Sequence, residues 1–442
     1  MFRLRDATRR RIGVAGFFVL GAAPALVIGV WCAARHAPNQ AQTAATELGR
    51  RLGLNVTVGD LQYPRPGVVR YHRVEAADPE TGRSLFRCRR LEIAEGRRRD
   101  ARGQWRDTRT VTLLQPELQA SALEPIGRRL RSAMDGSTGS LDVDVRWSAA
   151  ELTLRADSES QTFCDVAGTL ETLPGGVQMQ MDFHLAGAKA PEPARIRIVR
   201  NRQVSPPASG FELYTGGGPL PCSVLGLALA ELKTLGPRCQ FSGGVWANEM
   251  AGGWQGEVTG RLLDLDVGRL VSDYFPDRLT GVGEAAIQTA RFRGGRLEAG
   301  RITVSAGPGA IDRSLIRAVV DRLGLVSEGT LSEQTQASYQ QLAFSATLDA
   351  QGFRISGRCA GAEPGVVLCN HQGKLLSEPV RQPAPAAALA RALAPQNVVQ
   401  VPVVRQTDWL LRHLPVPDAT TPPEAESAEP RAQVRRSDEW RR

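Results

Sequence analysis

A chain of 442 residues that is 42% hydrophobic, with 45 glycines and 28 prolines, has enough apolar material for a sizeable core and enough breakers for many short elements. Its net charge of +9 sits in two places: residues 1–11 carry five arginines against one aspartate, and residues 80–109 carry ten against five acids. Neither basic run shows interleaved aromatics or a helix-turn-helix pattern, which argues against a nucleic-acid partner. The second run reads as a solvated face, with contact to anionic headgroups as the alternative.

In chain order, the first signal is Ile12–Ala34, twenty-three residues without a charged side chain. As a helix it spans roughly 34 Å, enough to cross a hydrocarbon core. Arg9, Arg10 and Arg11 abut its start and only Arg35 follows, so the short N-terminus is expected in the cytoplasm and the bulk on the far side. A cleaved signal peptide is the competing reading, with small residues at Ala23-Pro24-Ala25. The long apolar run favours an uncleaved, single-pass anchor.

Gln40–Leu52 spaces Ala41, Ala44, Ala45, Leu48 and Leu52 as one face of a helix that ends near Gly53. Beyond it the period falls to 2. Strands are expected at Asn55–Val58, Val68–Val74, Leu85–Ile93 and Val111–Gln119, with turns at Gly59-Asp60 and Pro64–Gly67, and a brief helix at Ile126–Met134. Between Leu141 and Arg200 the alternation is clearest: Val177, Met179, Met181, Phe183 and Leu185 alternate with Gln178, Gln180, Asp182 and His184. Each such strand has one apolar and one wet face, the mark of an antiparallel sheet packed on one side.

Cys222–Leu235 reads as an apolar helix lying on that sheet, stopped by Gly236-Pro237. Strands resume at Gln240–Trp246, Gly253–Leu263, Gly283–Phe292 and Arg296–Val304. Asp312 is placed to cap a second helix carrying Leu315, Ile316, Val319, Val320 and Leu323. Tyr339–Leu348, Phe353–Cys359 and Val366–Asn370 continue the strands. Pro383–Ala394 and Asp408–Leu414 read as helices, and from Pro415 the composition is that of a disordered tail. The expected organisation is a cytoplasmic N-terminus (1–11), an anchor (12–34), a β-rich region (35–135), a repetitive antiparallel β region (136–382), a helical or extended segment (383–414) and the tail (415–442).

Six cysteines lie outside the anchor. Cys359 and Cys369 flank the turn Gly361–Gly365, so a hairpin would set them nearly opposite each other as a candidate disulfide. His371 beside them does not complete a metal site, for want of a fourth ligand. Asp264 and Asp266 fit an exposed turn better than an acid/base pair. No nucleophile elbow, zinc-binding helix, phosphate loop or dinucleotide fingerprint occurs. The expectation is a protein with no catalytic residue, no metal and no cofactor.

Leu48–Ile93, "LGRRLGLNVTVGDLQYPRPGVVRYHRVEAADPETGRSLFRCRRLEI", resembles the start of the AsmA-like family, with Gly53–Val58, Pro64–Val68, Val74–Pro79 and Arg89–Glu92 in the places of its strand and turn motifs. Trp147–Thr172 and Leu279–Val304 are similar to its repeating strand units. The resemblance implies an anchor in the bacterial inner membrane and a mainly β periplasmic body, an elongated, curved, groove-like antiparallel sheet with a few covering helices. It implies a role in carrying lipid along an apolar groove, with phospholipid as partner, or in outer-membrane assembly. Val177, Met179, Met181, Phe183 and Leu185 are the candidate groove residues. The alternative is a tethered scaffold in which the same residues form a closed core.

Overall fold

The computed structural model describes residues 39–385 apart from 100–102, 137–142, 157–158, 227–231, 233–234, 273–276 and 328–334, and beyond these only residues 17, 26, 388 and 389. The expected anchor at Ile12–Ala34 therefore falls outside the described residues except for Phe17 and Leu26. The segments at 390–394 and 408–414 and the tail fall outside them entirely. Among the described residues no helix is long and apolar enough to cross a membrane.

Helix α1 spans Gln40–Leu52, as its spacing predicts. Gly53 ends it in the left-handed region at φ 60°, donating its N–H to Gly49. Ala44 and Leu48 pack on apolar residues of the first strands, among them Val56, Tyr71 and Val74. Those strands are β1 (Asn55–Arg65), β2 (Val68–Ala77), β3 (Ser84–Arg99) and β4 (Trp105–Gln119), each antiparallel to the last. The expected turn at Gly59-Asp60 is absent, because β1 continues through it. Arg73 opposite adopts φ 51° and lays its guanidinium over Gly59, within reach of the Gly59 carbonyl at 3.4 Å. A Cβ at position 59 would meet that side chain at 2.5 Å, so the glycine serves a crossing side chain rather than a turn.

A 3-10 turn (Ala120–Ala122) and helix α2 (Leu123–Asp135) then carry the chain back, and β5 (Val143–Ala156) runs parallel to β4, from Asp107 opposite Val143 to Gln119 opposite Arg155. The sheet is therefore mixed rather than purely antiparallel. Parallel neighbours need a crossover, which the helix supplies. The remaining strands are β6 (Glu159–Leu173), β7 (Gly176–Leu185), β8 (Ala194–Asn201), β9 (Ala208–Tyr214), β10 (Leu220–Pro221), β11 (Gln240–Met250), β12 (Gly253–Asp266), β13 (Val282–Arg293) and β14 (Arg296–Ala306). After them come β15 (Gly309–Asp312), β16 (Val326–Ser327), β17 (Gln336–Tyr339), β18 (Gln341–Asp349), β19 (Gly352–Gly357), β20 (Val366–Asn370) and β21 (Gly373–Ser377).

Nineteen of these strands join one sheet, and β15 and β17 pair separately. Spatial order follows chain order from β1 to β9, then passes to β11, β12, β13, β14, β18 and β19. At about 4.8 Å per strand this ladder measures roughly 67 Å across. It crosses the boundary expected at residue 135 without a break.

Two insertions leave the ladder and return over its apolar face. The first, between β9 and β11, contains β10 and helix α3, which is Cys222–Leu225 only. The longer helix expected to Leu235 lies partly outside the described residues. Leu220, Cys222, Val224, Leu225, Leu232 and Leu235 pack with Phe183, Leu213, Phe241 and Leu262. The second insertion, between β14 and β18, holds β15, helix α5 (Arg313–Leu323), β16 and β17. Short helix α4 (Val267–Ser272) precedes it at the end of β12. Leu315, Ile316 and Leu323 of α5 pack with Leu342, Ala346, Leu348, Phe353 and Ile355. Asp312 occupies the N-cap of α5 but makes no cap hydrogen bond from its side chain; its Oδ2 accepts from the Arg278 N–H at 2.6 Å. Cap chemistry identified the helix start, and a neighbouring loop uses the carboxylate.

Leu368 on β20 lies opposite Leu342 and is sealed in the α5 core. Leu368→Ala is expected to lower unfolding stability by about 2–5 kcal/mol. Denaturant titration checks this, and a loss under about 1 kcal/mol would contradict the core described.

Candidate functional site

Register sets the site. Pairing brings Gly168, Met181, Ile196, Leu213, Val245 and Val258 into one cross-strand row. One step along, Leu170, Met179, Ile198, Phe211, Ala247, Gly256 and Phe292 form a second row. Val145 on β5 and Leu297 on β14 extend this second row to nine adjacent strands. Both rows lie on the face that carries Val177, Phe183 and Leu185. All five candidate groove residues therefore share one face.

Their burial differs with position along β7. Val177 is 0% exposed and Phe183 5%, whereas Met179, Met181 and Leu185 are half-buried. Phe183 is closed in by the first insertion and by an edge-on contact with Phe163, ring centroids 5.1 Å apart. Val177 and its cross-strand partner Arg200 lie at the end reached by α2. Between the closed ends Leu170, Met179, Ile198, Phe211 and Phe292 remain only partly buried. Of these, Leu170, Met179, Ile198 and Phe292 belong to none of the four apolar clusters among the described residues.

The α2 end is fixed electrostatically. Arg200 donates through Nε to Asp135 at 2.6 Å, and through Nη1 to Glu249 at 2.8 Å and Ser209 at 2.6 Å. Glu249 also accepts from the Ser209 backbone N–H at 3.0 Å. Arg202 reaches the last carbonyls of α2, Met134 at 2.5 Å and Ala133 at 3.2 Å, where a cation favours the helix dipole. Arg129 of α2 donates to the Gly53 carbonyl at 2.6 Å, tying α2 to the end of α1.

The opposite face is charged, with Arg195 on Asp182 at 2.7 Å and Arg197 facing Glu212 at 3.6 Å. Glu212 is itself buried beneath Arg197, whereas Arg195 and Asp182 are partly exposed, and such partly exposed pairs add little stability. His184 belongs to that polar series, opposite Cys164.

Other chemistry is sparse. Asp264 is exposed and Asp266 holds the Arg269 N–H at 3.3 Å, consistent with a strand end. Among the described residues no three His, Cys, Asp or Glu side chains converge as a metal site. Cys359 and Cys369 are free thiols. The Cys359 N–H bonds to the Val366 carbonyl at 3.0 Å and its thiol donates to Gln341 O at 3.6 Å, while the Cys369 side chain packs beside it. Burial first, and Cys369 second, push the Cys359 thiol up to about 12. Two cavities of about 330 and 440 Å³ lie near these cysteines, over β14 and β18; neither includes a residue of the half-exposed row.

Sequence reasoning found the β7 members of the row because their alternation is local. It missed Phe211 and Phe292, whose membership depends on register. The Arg200–Asp135–Glu249 cluster carried no local signal, since its members are 65 and 49 positions apart in the chain. Compared with known families and with curated proteins, the chain matches no family model and no curated protein.

Arg200→Ala strands two carboxylates against the sheet. Since about a third of each remains exposed, the expected loss is about 2–4 kcal/mol, below that of a fully buried pair. Denaturant unfolding measures it; an unchanged midpoint would show that α2 is held by packing alone.

Proposed function

We propose that this chain is a membrane-tethered protein of the cell envelope that carries lipid acyl chains along the half-exposed apolar row of its sheet. One observation carries the reading: on the successive strands β6 to β9, Leu170, Met179, Ile198 and Phe211 stay only partly buried between more fully buried ends, where an ordinary core would bury them throughout. About 0.8 kcal/mol per methylene taken out of water makes such a row an effective acyl surface. The uncharged segment Ile12–Ala34, its arginine flank and the resemblance of Leu48–Ile93 to AsmA-like proteins support the inner-membrane tether and the periplasmic placement. A role in outer-membrane assembly is compatible with the same surface. No residue is assigned a catalytic role.

The closed-core scaffold keeps one specific support, the complete burial of Val177 and near-complete burial of Phe183. The two readings separate at Met179 and Ile198, which a scaffold does not need to leave half-exposed.

The test compares the full chain with the Met179→Asp and Ile198→Asp variants, extracted into detergent-free polymer particles, by mass spectrometry of bound phospholipid. All three share the anchor, so their difference reports the sheet. Transport predicts phospholipid per chain in excess of the annular background, with that excess falling about tenfold in both variants, equivalent to about 1.4 kcal/mol, at unchanged unfolding midpoint. Equal phospholipid in all three would contradict the acyl surface and favour the scaffold.

A further inference from the structure

The first insertion returns to the sheet through β10, whose Leu220 and Pro221 pair with Phe241 and Gln240 of β11. The next rung of that ladder sets Cys222 opposite Cys239. The Cys222 N–H donates to the Cys239 carbonyl at 2.8 Å, and the Cys222 thiol donates to the Cys239 sulfur at 2.9 Å. Both residues are 0% exposed. Residues opposite each other in an antiparallel ladder have Cα atoms about 4.5–5.5 Å apart, within the window of about 4.4–6.8 Å that a disulfide spans. Cys88, by contrast, directs its thiol to the carbonyls of Arg90 and Leu114, and the Cys359 thiol, beside Cys369, donates to the Gln341 carbonyl at the longer distance of 3.6 Å.

We propose that Cys222 and Cys239 are joined as a disulfide in the mature protein, a covalent fastening of the first insertion to the sheet. The two thiols lose two protons and two electrons as the S–S bond forms. The oxidant is another disulfide, of a small thiol or of a thiol–disulfide exchange protein. A cysteine thiolate attacks it to give a mixed disulfide and one released thiol; the second cysteine then displaces the other thiol, so the oxidant ends as two thiols. Both sulfurs are sealed in the finished structure, so exchange takes place while the insertion is open.

The bond has a structural consequence. It closes a segment 17 positions long whose Val224, Leu225, Leu232 and Leu235 pack over Phe241 and Leu262. Constraining that segment in the unfolded chain favours its return to the sheet. The proposal holds whether or not the half-exposed row binds lipid.

The full chain is equilibrated in mild urea with mixtures of reduced and oxidised glutathione, free thiols are blocked with iodoacetamide in guanidinium, and the digest is mapped without reductant. The expected product is a peptide pair linking Cys222 to Cys239 that persists into mixtures with reduced glutathione in excess. Recovery of both cysteines as alkylated thiols in every mixture, or of either linked to another cysteine, would overturn the proposal. In a second measurement, the double variant Cys222→Ser/Cys239→Ser is expected to unfold about 5 °C below the oxidised parent, with dithiothreitol abolishing the difference. Equal midpoints without reductant, or a difference that survives dithiothreitol, would overturn the fastening.

Discussion

A sheet of this width keeps a single apolar face only if no strand slips by one residue against its neighbour, because such a slip turns every side chain of that strand to the other side. Here parity holds from Val69 on β2 through Ile93, Val111, Trp147 and Gly168 to Met181, and on to Leu348 and Phe353. Where an extra residue intrudes, a bulge absorbs it. The shift between Cys164 and Ala167 coincides with Asp165 in the left-handed region at φ 51°, and shifts recur between Val258 and Gly260 and between Ile287 and Thr289. Gly168 leaves room for the Trp147 ring, which lies where its Cβ would stand. Apolar continuity is thereby kept across β4–β5, the one parallel step among the pairings described.

A one-faced sheet must cover its apolar side, and this one does so in pieces. Helix α1 covers the start, α2 and the Arg200 cluster hold one end of the central strands, and the two insertions cover the rest. Among the described residues, the row through Met179 and Ile198 is the part left only partly buried. Its exposure follows from this arrangement: the pieces anchor at strand ends, and the middle of each central strand lies between them. The same geometry explains why candidate residues on one strand divide into buried and half-buried sets.

Much of the fold was legible locally. Helix α1, the turn at Pro64–Gly67, the strand at Val366–Asn370 and the alternation on β7 and β8 are all stated by residues within one element. What escaped was set by partners far along the chain. β9 has only seven residues, the two-residue strands β10 and β16 have no period to read, and the parallel step looks like any other alternating strand. Gly59 imitates a turn residue because glycine serves both a turn and a crossing side chain. The Cys359–Cys369 expectation rested on a symmetrical hairpin; the register puts Val366 opposite Cys359, and the Cys369 side chain nevertheless packs beside it. The Cys222–Cys239 rung was hidden because β10 is too short to be recognised as a strand.

The half-exposed row is the feature on which the functional account stands, and solvent access along β7 and β8 tests it most directly. Single variants Val177→Cys, Ile198→Cys and Phe183→Cys, each in a chain whose native cysteines are replaced by serine, are treated with a small water-soluble thiol reagent under native conditions. The account predicts rapid labelling at position 198, with labelling at 177 and 183 slower by about two orders of magnitude, as burial requires. Equal protection at all three positions would mean the face is closed along its length, and the acyl-carrying row would not exist.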